Sequence, residues 1–121
     1  MKFFFDGGCR PNPGTMEIAV VAAGKETVLR DLGFGTSTDA EWLALIHALT
    51  LAQALKVADV VLLGDAANVV DKVNGTMKCR GAEVAHLAMF RSLAVDTAPR
   101  VRYVRRTQNL AGIALARRHD R

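Results

Sequence analysis

Short apolar segments alternate with segments of helical periodicity, and this alternation is the feature that most constrains the fold. Predicted strands are Lys2–Asp6, Met16–Ala23, Glu26–Gly35, Ala58–Leu63 and Arg100–Val104. Predicted helices are Asp39–Lys56, Ala66–Val73, Gly81–Val95 and Asn109–Arg118. Early hairpin strands followed by strand–helix alternation predict an α/β fold, with helices packed on a mixed five-stranded sheet in the order β-β-β-α-β-α-α-β-α. A length of 121 residues suits one domain spanning 1–121.

Local signals support the boundaries of two of these elements. Ala23-Gly24-Lys25 is typical of a hairpin turn between the second and third strands. Thr38 is predicted to cap the long helix, because a threonine oxygen at this position accepts a bond from a free backbone N–H. The apolar side of that helix recurs at helical spacing in Trp42, Leu45, Ile46 and Leu49.

Charge and cysteine content limit the classes of protein to which this chain can belong. The net charge is +4, and arginines concentrate after position 99, namely Arg100, Arg102, Arg105, Arg106, Arg117, Arg118 and Arg121. Such a segment attracts a polyanion or forms a solvated face, and charge alone does not separate the two. Two isolated cysteines predict neither a disulfide framework nor a zinc site. Without a membrane-spanning run or a signal peptide pattern, we expect a cytoplasmic monomer with no membrane or protein partner.

Three carboxylates stand at comparable places in the predicted fold. Asp6 and Asp65 each follow an apolar strand, and Glu41 lies in the first turn of the long helix. Each has a simpler explanation on its own: a turn for Asp6, a helix cap for Asp65 and the helix dipole for Glu41. Together, three carboxylates from separate elements at one end of a sheet predict a site for one or two Mg²⁺ or Mn²⁺ ions.

Four sequence blocks extend this pattern along the chain. The first contains Asp6, Gly7, Cys9, Asn12, Pro13 and Gly14. The second contains Thr36, Ala40, Glu41, Ala44, Leu45, Ala48 and Leu49. The third is Val60–Leu63 followed by Asp65, and the fourth contains Val104, Arg106, Asn109, Leu115 and Ala116. In content and order these blocks resemble the type 1 ribonuclease H family, whose members cut the RNA strand of RNA–DNA hybrids.

The resemblance implies a ribonuclease H-like fold and a metal-dependent endonuclease acting on RNA–DNA hybrids. It implies that Asp6, Glu41 and Asp65 are both catalytic residues and metal ligands. It places the substrate contacts at Gly7, Gly8, Cys9, Asn12, Thr36, Ser37 and Arg106. Recognition of a hybrid rests largely on its shape, phosphates and 2′-hydroxyls, which suits an open glycine backbone beside basic side chains.

The sequence departs from the family pattern in the fourth block. Ile113 stands where the family has a fourth metal-binding aspartate, and an isoleucine cannot bind a cation. Ala66 replaces a usual serine, and the short loop at Thr107 and Gln108 lacks the histidine often found before the last helix. His47 and His86 fall within predicted helices and are interpreted as surface or half-buried residues rather than ligands.

Three consequences of Ile113 stay open from the sequence. The site works with weaker metal affinity, or another ligand substitutes, or the protein only binds hybrid or duplex nucleic acid with weak or no cleavage. Asn109 is the candidate substitute, because it lies four residues before Ile113 on a predicted helix and carries an amide oxygen. A related nuclease of the same fold acting on a DNA junction is a further alternative, which the matches at Cys9 and Asn12 disfavour.

Overall fold

A computed structural model describes residues 1–119, so Asp120 and Arg121 of the basic segment lie outside the described residues. The strands are β1 (Lys2–Cys9), β2 (Gly14–Ala22), β3 (Lys25–Leu29), β4 (Phe34–Gly35), β5 (Val61–Gly64) and β6 (Arg100–Tyr103). The helices are α1 (Ser37–Ala54), α2 (Ala67–Val73), α3 (Glu83–Ala94) and α4 (Leu110–Arg117), with a 3₁₀ turn at Arg106–Gln108. This order confirms the predicted α/β class.

The strands form one mixed sheet in the order β3-β2-β1-β5-β6. β1 and β2 are antiparallel, and so are β2 and β3, which the hairpin turn at Ala23 and Gly24 connects. β5 runs parallel to both β1 and β6, which the intervening helices permit. The parallel pairing of β1 with β5 brings the carboxyl ends of two buried strands to the same edge of the sheet.

The two faces of the sheet pack against different helices. On one face, Phe3 and Phe5 join Trp42 of α1 in the larger core, and all three are at most 1% exposed. On the other face, Ala19 of β2 packs against α4, in a smaller cluster that also holds Val21, Ala111, Ala114 and Leu115. Because side chains alternate along a strand, Asp6 lies on the α4 face.

The third strand is shorter than predicted. β3 ends at Leu29 rather than Gly35, because Asp31 and Gly33 adopt positive φ angles of 56° and 95° and break the extended backbone. Phe34 and Gly35 then return as β4 to pair with the start of β2, adding a short strand to the five expected. The ends of the other predicted elements agree with the structure within three residues.

The helix cap was predicted at the wrong threonine. Thr36 rather than Thr38 caps α1: its hydroxyl oxygen accepts from the Asp39 N–H at 3.1 Å, and the Asp39 carboxylate accepts from the Thr36 N–H at 3.1 Å. This reciprocal capping box satisfies two N–H groups at the helix start. Within residues 1–119 no helix is both long and apolar enough to span a bilayer. The cytoplasmic location and the monomeric state stay predictions.

Candidate active site

Three carboxylates converge at the edge of the sheet where β1 and β5 end. Asp6 comes from β1, Asp65 directly follows β5, and Glu41 comes from the start of α1. One oxygen from each lies within 4.8 Å of the others. The structure therefore brings together the three acids that the sequence singled out, from elements up to 59 positions apart in the chain.

Burial and mutual repulsion shift the protonation of these acids. Burial, followed by the charge of Asp65, raises the pKa of Asp6 to about 6. Burial, followed by the charge of Asp6, raises the pKa of Glu41 to about 9. At neutral pH the Glu41 carboxyl therefore keeps its proton and donates it in a hydrogen bond to Asp6. The proton limits the repulsion among the three acids, and a cation could limit it in the same way. Three converging carboxyl oxygens are ligands that suit a hard divalent cation.

Gly7 fixes the position of Glu41. The Gly7 N–H donates to Glu41 Oε1 at 2.6 Å, so the carboxyl is tied to the β1 backbone. A Cβ at Gly7 would overlap the carbonyl oxygen of Ala40 on α1. Only glycine therefore allows α1 to approach β1 closely enough for Glu41 to reach Asp6.

Asn109 orients Asp65 and does not supply a ligand oxygen. Its side chain is fully buried, and its amide nitrogen donates to Phe5 O at 3.0 Å and to Asp65 Oδ2 at 3.1 Å. Its amide oxygen accepts from the Ala111 N–H at 3.1 Å and caps α4. The carbonyl and N–H partners fix which end of the amide is nitrogen. The expectation that Asn109 acts as a substitute metal ligand is corrected, because its nitrogen faces the acids and its oxygen is occupied.

Gly112, one residue before the expected position, lets α4 lie close to the acids. A Cβ built on Gly112 would lie 3.5 Å from Oδ2 of both Asp6 and Asp65. Ile113 lines the same cavity and is 43% exposed. Neither position carries a carboxylate, so α4 contributes no acid to the cluster. The motif alone does not reveal this close approach, because it does not fix the rotation of α4.

The acids line an open cavity of about 740 Å³. Of the predicted substrate contacts, Gly7, Gly8, Cys9, Ser37 and Arg106 line this cavity. Arg106 lies close enough to Asp6 to oppose the rise in its pKa. The cavity thus combines an acidic centre with an open backbone and a guanidinium.

Asn12 and Thr36, the other two predicted contacts, do not line the cavity and instead hold the start of α1. Asn12 Oδ1 accepts from the Ser37 N–H at 3.0 Å, and Cys9 Sγ donates to the same oxygen at 3.6 Å. Thr36 forms the cap of the helix. These bonds tie the loop after β1 to the helix that carries Glu41.

Two polar pairs at the cavity, one of them an ion pair, were missed by the sequence interpretation. Glu17 of β2 is paired with His119, and Lys72 of α2 is paired with Glu83 of α3 at 2.7 Å. Glu83 also accepts from the Trp42 indole N–H at 2.9 Å. A signal for Glu17 was present, because it is the only charged residue in the apolar run of the second predicted strand.

The two helical histidines lie away from the acids. His86 Nε2 lies 3.0 Å from Asp39 Oδ1, and its ring stacks on Trp42 with centroids 6.0 Å apart. His47 is half-buried on α1, and burial lowers its pKa. Neither lines the cavity described above.

The chain matches one family model and is similar to solved structures of RNase H proteins. A family model described as reverse transcriptase-like matches residues 5–119. The RNase H1 of the halophilic archaeon Halobacterium salinarum is 26% identical, with a TM-score of 0.83 over 94% of this chain and 92% of that one. The N-terminal RNase H domain of a Mycobacterium tuberculosis protein is 25% identical, with a TM-score of 0.80 over 98% and 96%.

A more distant structure shares the fold. An RNase H1 solved in complex with an RNA/DNA hybrid is 21% identical, with a TM-score of 0.77 over 90% of this chain and 88% of that one. No curated protein sequence matches significantly.

Proposed function

We propose that this protein is a metal-dependent endonuclease that cuts the RNA strand of RNA–DNA hybrids. The chain belongs to the reverse transcriptase-like family and is a ribonuclease H1-like protein, and the proposal starts from that membership. The observation that carries the proposal is the convergence of Asp6, Glu41 and Asp65 within 4.8 Å in an open cavity. One related RNase H1 is known in complex with an RNA/DNA hybrid, which supports this class of substrate.

The three carboxylates would hold one or two Mg²⁺ or Mn²⁺ ions. Bound ions of this kind supply an activated water and stabilise charge on the attacking and leaving oxygens of a phosphodiester. The protein's own contribution is to hold the ligands. Gly7 fixes Glu41, and Asn109 fixes Asp65, each through a hydrogen bond to one carboxyl oxygen. Glu41 must release its proton before both of its oxygens are available to a cation.

The rest of the cavity suits a nucleic-acid backbone. A Cβ at Gly8 would meet nothing within 4 Å, so the β1 backbone is open to close approach. Arg106 offers a planar fork of donors that matches a phosphate. Contacts of this type do not depend on base sequence, and we expect hybrid binding to weaken with added salt.

Hydrolysis of a labelled hybrid tests the proposal. We expect the wild-type protein to cut the RNA strand in Mg²⁺ or Mn²⁺, and to be inactive in EDTA. The Asp6→Asn variant removes one ligand charge at nearly constant shape and should lose activity in both metals. The same label on a DNA duplex of identical sequence is the matched substrate control. Absence of metal-dependent cleavage by the wild type in either metal would overturn the endonuclease proposal.

A second function is favoured by the absence of a carboxylate at Gly112 and Ile113. With one carboxylate fewer, the cluster should have a lower affinity for a second cation. The alternative function is therefore a protein that binds hybrids with weak or no cleavage. Binding of hybrid without turnover by the wild type, with turnover gained in Ile113→Asp, would favour this alternative. Cleavage by the unmodified chain at rates that Ile113→Asp does not raise would argue against it.

A further inference from the structure

A second polar pair, Glu17 and His119, lines the same cavity as the three acids. Glu17 lies directly opposite Gly8 in the β1–β2 register, two positions along β1 from Asp6. Because opposed residues share a face and side chains alternate along a strand, Glu17 lies on the sheet face that carries Asp6. Within residues 1–119, Glu17 and Asn109 are the two polar side chains classed as buried, and Glu17 is 8% exposed.

His119 covers the Glu17 carboxylate. Its Nε2 lies 2.6 Å from Oε1 and 2.9 Å from Oε2, so this nitrogen donates to the carboxylate. The other ring nitrogen, Nδ1, has no hydrogen-bond partner among the described residues. Because His119 lines the cavity, Nδ1 is the ring nitrogen left for a ligand among the described residues. Within that part of the chain the ring is bonded through one nitrogen only.

The surroundings of the pair favour a ligand rather than a purely structural tether. A bare carboxylate at this position would repel a phosphate entering the cavity. Because Nε2 already donates to Glu17, Nδ1 carries a proton and can donate to a phosphate when the ring is doubly protonated. The neighbouring Gly8 leaves the space beside the pair open. Arg10 and Arg106 line the cavity as well and attract the same kind of group.

We propose that His119, held by Glu17, is a substrate-binding residue that donates from Nδ1 to a phosphate oxygen of the nucleic-acid backbone in the cavity. The inference rests on the proposed function, since it takes the RNA strand of a hybrid as the ligand. It adds a contact from the end of α4 to those expected from β1 and α1. Glu17 acts as a positioning residue, because it sets the ring orientation without touching the substrate.

Hybrid binding without cleavage tests this contact. Fluorescence anisotropy with a labelled RNA–DNA hybrid in EDTA, at about pH 6 where a free imidazole is largely protonated, gives the dissociation constant. We expect His119→Gln to weaken binding about tenfold, the size of one charge-assisted hydrogen bond. The slope of log K against log salt should fall by about one for the same variant. His86→Gln is the matched control, because His86 also pairs with a carboxylate but lies outside the cavity, and it should stay within about twofold.

A variant cycle separates contact from orientation. Glu17→Ala should weaken binding several-fold, and the double variant Glu17→Ala/His119→Gln should bind no worse than His119→Gln alone. A nuclear magnetic resonance titration of the wild type needs no substitution: hybrid should shift the ring resonances of His119 and not those of His86.

The outcomes distinguish this contact from the proposed function. A wild type that neither binds nor cuts hybrids overturns both. A wild type that binds hybrid while His119→Gln keeps the same affinity and salt slope, or while the His119 resonances do not move, overturns the contact alone and leaves the pair as a tether of α4.

Discussion

Glu41 makes the stability of the metal-free protein depend on pH in a specific direction. Its pKa is raised from 4.5 to about 9 in the folded chain, chiefly by burial and then by the charge of Asp6. A raised folded pKa means that the folded state binds a proton which the unfolded state has already lost. The resulting stability is fully present below pH 4.5 and is lost as pH rises through about 9.

The window from pH 7 to 9 isolates this carboxyl among the groups whose pKa is shifted. The pKa of Asp6, about 6, lies below the window. The lowered pKa values of Asp39, Glu83 and His47 lie below it too. A full proton difference is worth about 1.4 kcal/mol per pH unit. Because the difference closes as pH approaches the folded pKa, the loss over this window is about 2 kcal/mol.

Urea unfolding in EDTA and a thiol reductant measures this loss. The matched control is Glu41→Gln, which keeps an oxygen for the Gly7 N–H but cannot ionise. Subtracting its free energy of unfolding from that of the wild type removes the titration of all other groups. We expect this difference to move by about 2 kcal/mol against the wild type between pH 7 and 9. Saturating Mg²⁺ at pH 9 should restore at least as much, since about 2.7 kcal/mol follows from a ligand at a hundred times its dissociation constant.

A difference in free energy of unfolding that stays constant between pH 7 and 9 in EDTA would contradict this prediction. Such a result would mean that Glu41 is already ionised at neutral pH, and that the three carboxylates do not lie as close as the structure places them. A difference of the opposite sign would refute it as well.

Three further predictions concern stability and metal binding. Asn109→Ala should lower the free energy of unfolding by about 3–4 kcal/mol, because it removes a helix cap and leaves buried partners unpaired. The control is Asn74→Ala, which loses one hydrogen bond to a backbone carbonyl and should lower the same free energy by about 1 kcal/mol in urea titrations. Gly7→Ala should lower the free energy of unfolding by about 3 kcal/mol, because the added Cβ overlaps the backbone of α1. Gly8→Ala, whose Cβ meets nothing, should lower it by under about 1 kcal/mol. Equal shifts in melting temperature for the two variants would contradict the close approach of α1 to β1. Ile113→Asp adds a carboxylate beside the cavity and should tighten Mn²⁺ binding about tenfold, as measured by calorimetry. Ile113→Asn is the uncharged control. Equal Mn²⁺ affinities of the two variants would contradict the prediction.

The order of elements and the three acids could be predicted because their signals are local. Asp6 and Asp65 follow short apolar runs, and Glu41 lies near the start of a helical pattern, so each can be placed from its immediate neighbours in the sequence. The cap of α1 had a local signal too, since Thr36 stands three residues before Asp39 in the spacing of a capping box. Thr38 was chosen because it adjoined a helix start that was predicted two residues late.

The parts that could not be predicted depend on contacts between distant segments. His119 meets Glu17 across 102 residues, and Asn109 reaches the carbonyl of Phe5 across 104. Periodicity shows that α4 has an apolar side but not how the helix is rotated about its axis. That rotation puts Gly112 and Ile113 at the cavity of the acids, and it depends on how Ala111 and Leu115 pack on the sheet.

The protonation of Glu41 changes the meaning of the missing fourth carboxylate. At neutral pH Glu41 keeps its proton, and this proton limits the repulsion among the three acids. Even with Glu41 ionised, three carboxylates carry at most three negative charges, which balance one divalent cation but not two. A second cation would still leave an excess of positive charge, which a bound phosphate would balance. We therefore expect the absence of an acid on α4 to reduce repulsion in the free protein and to make occupancy by two cations depend on the substrate.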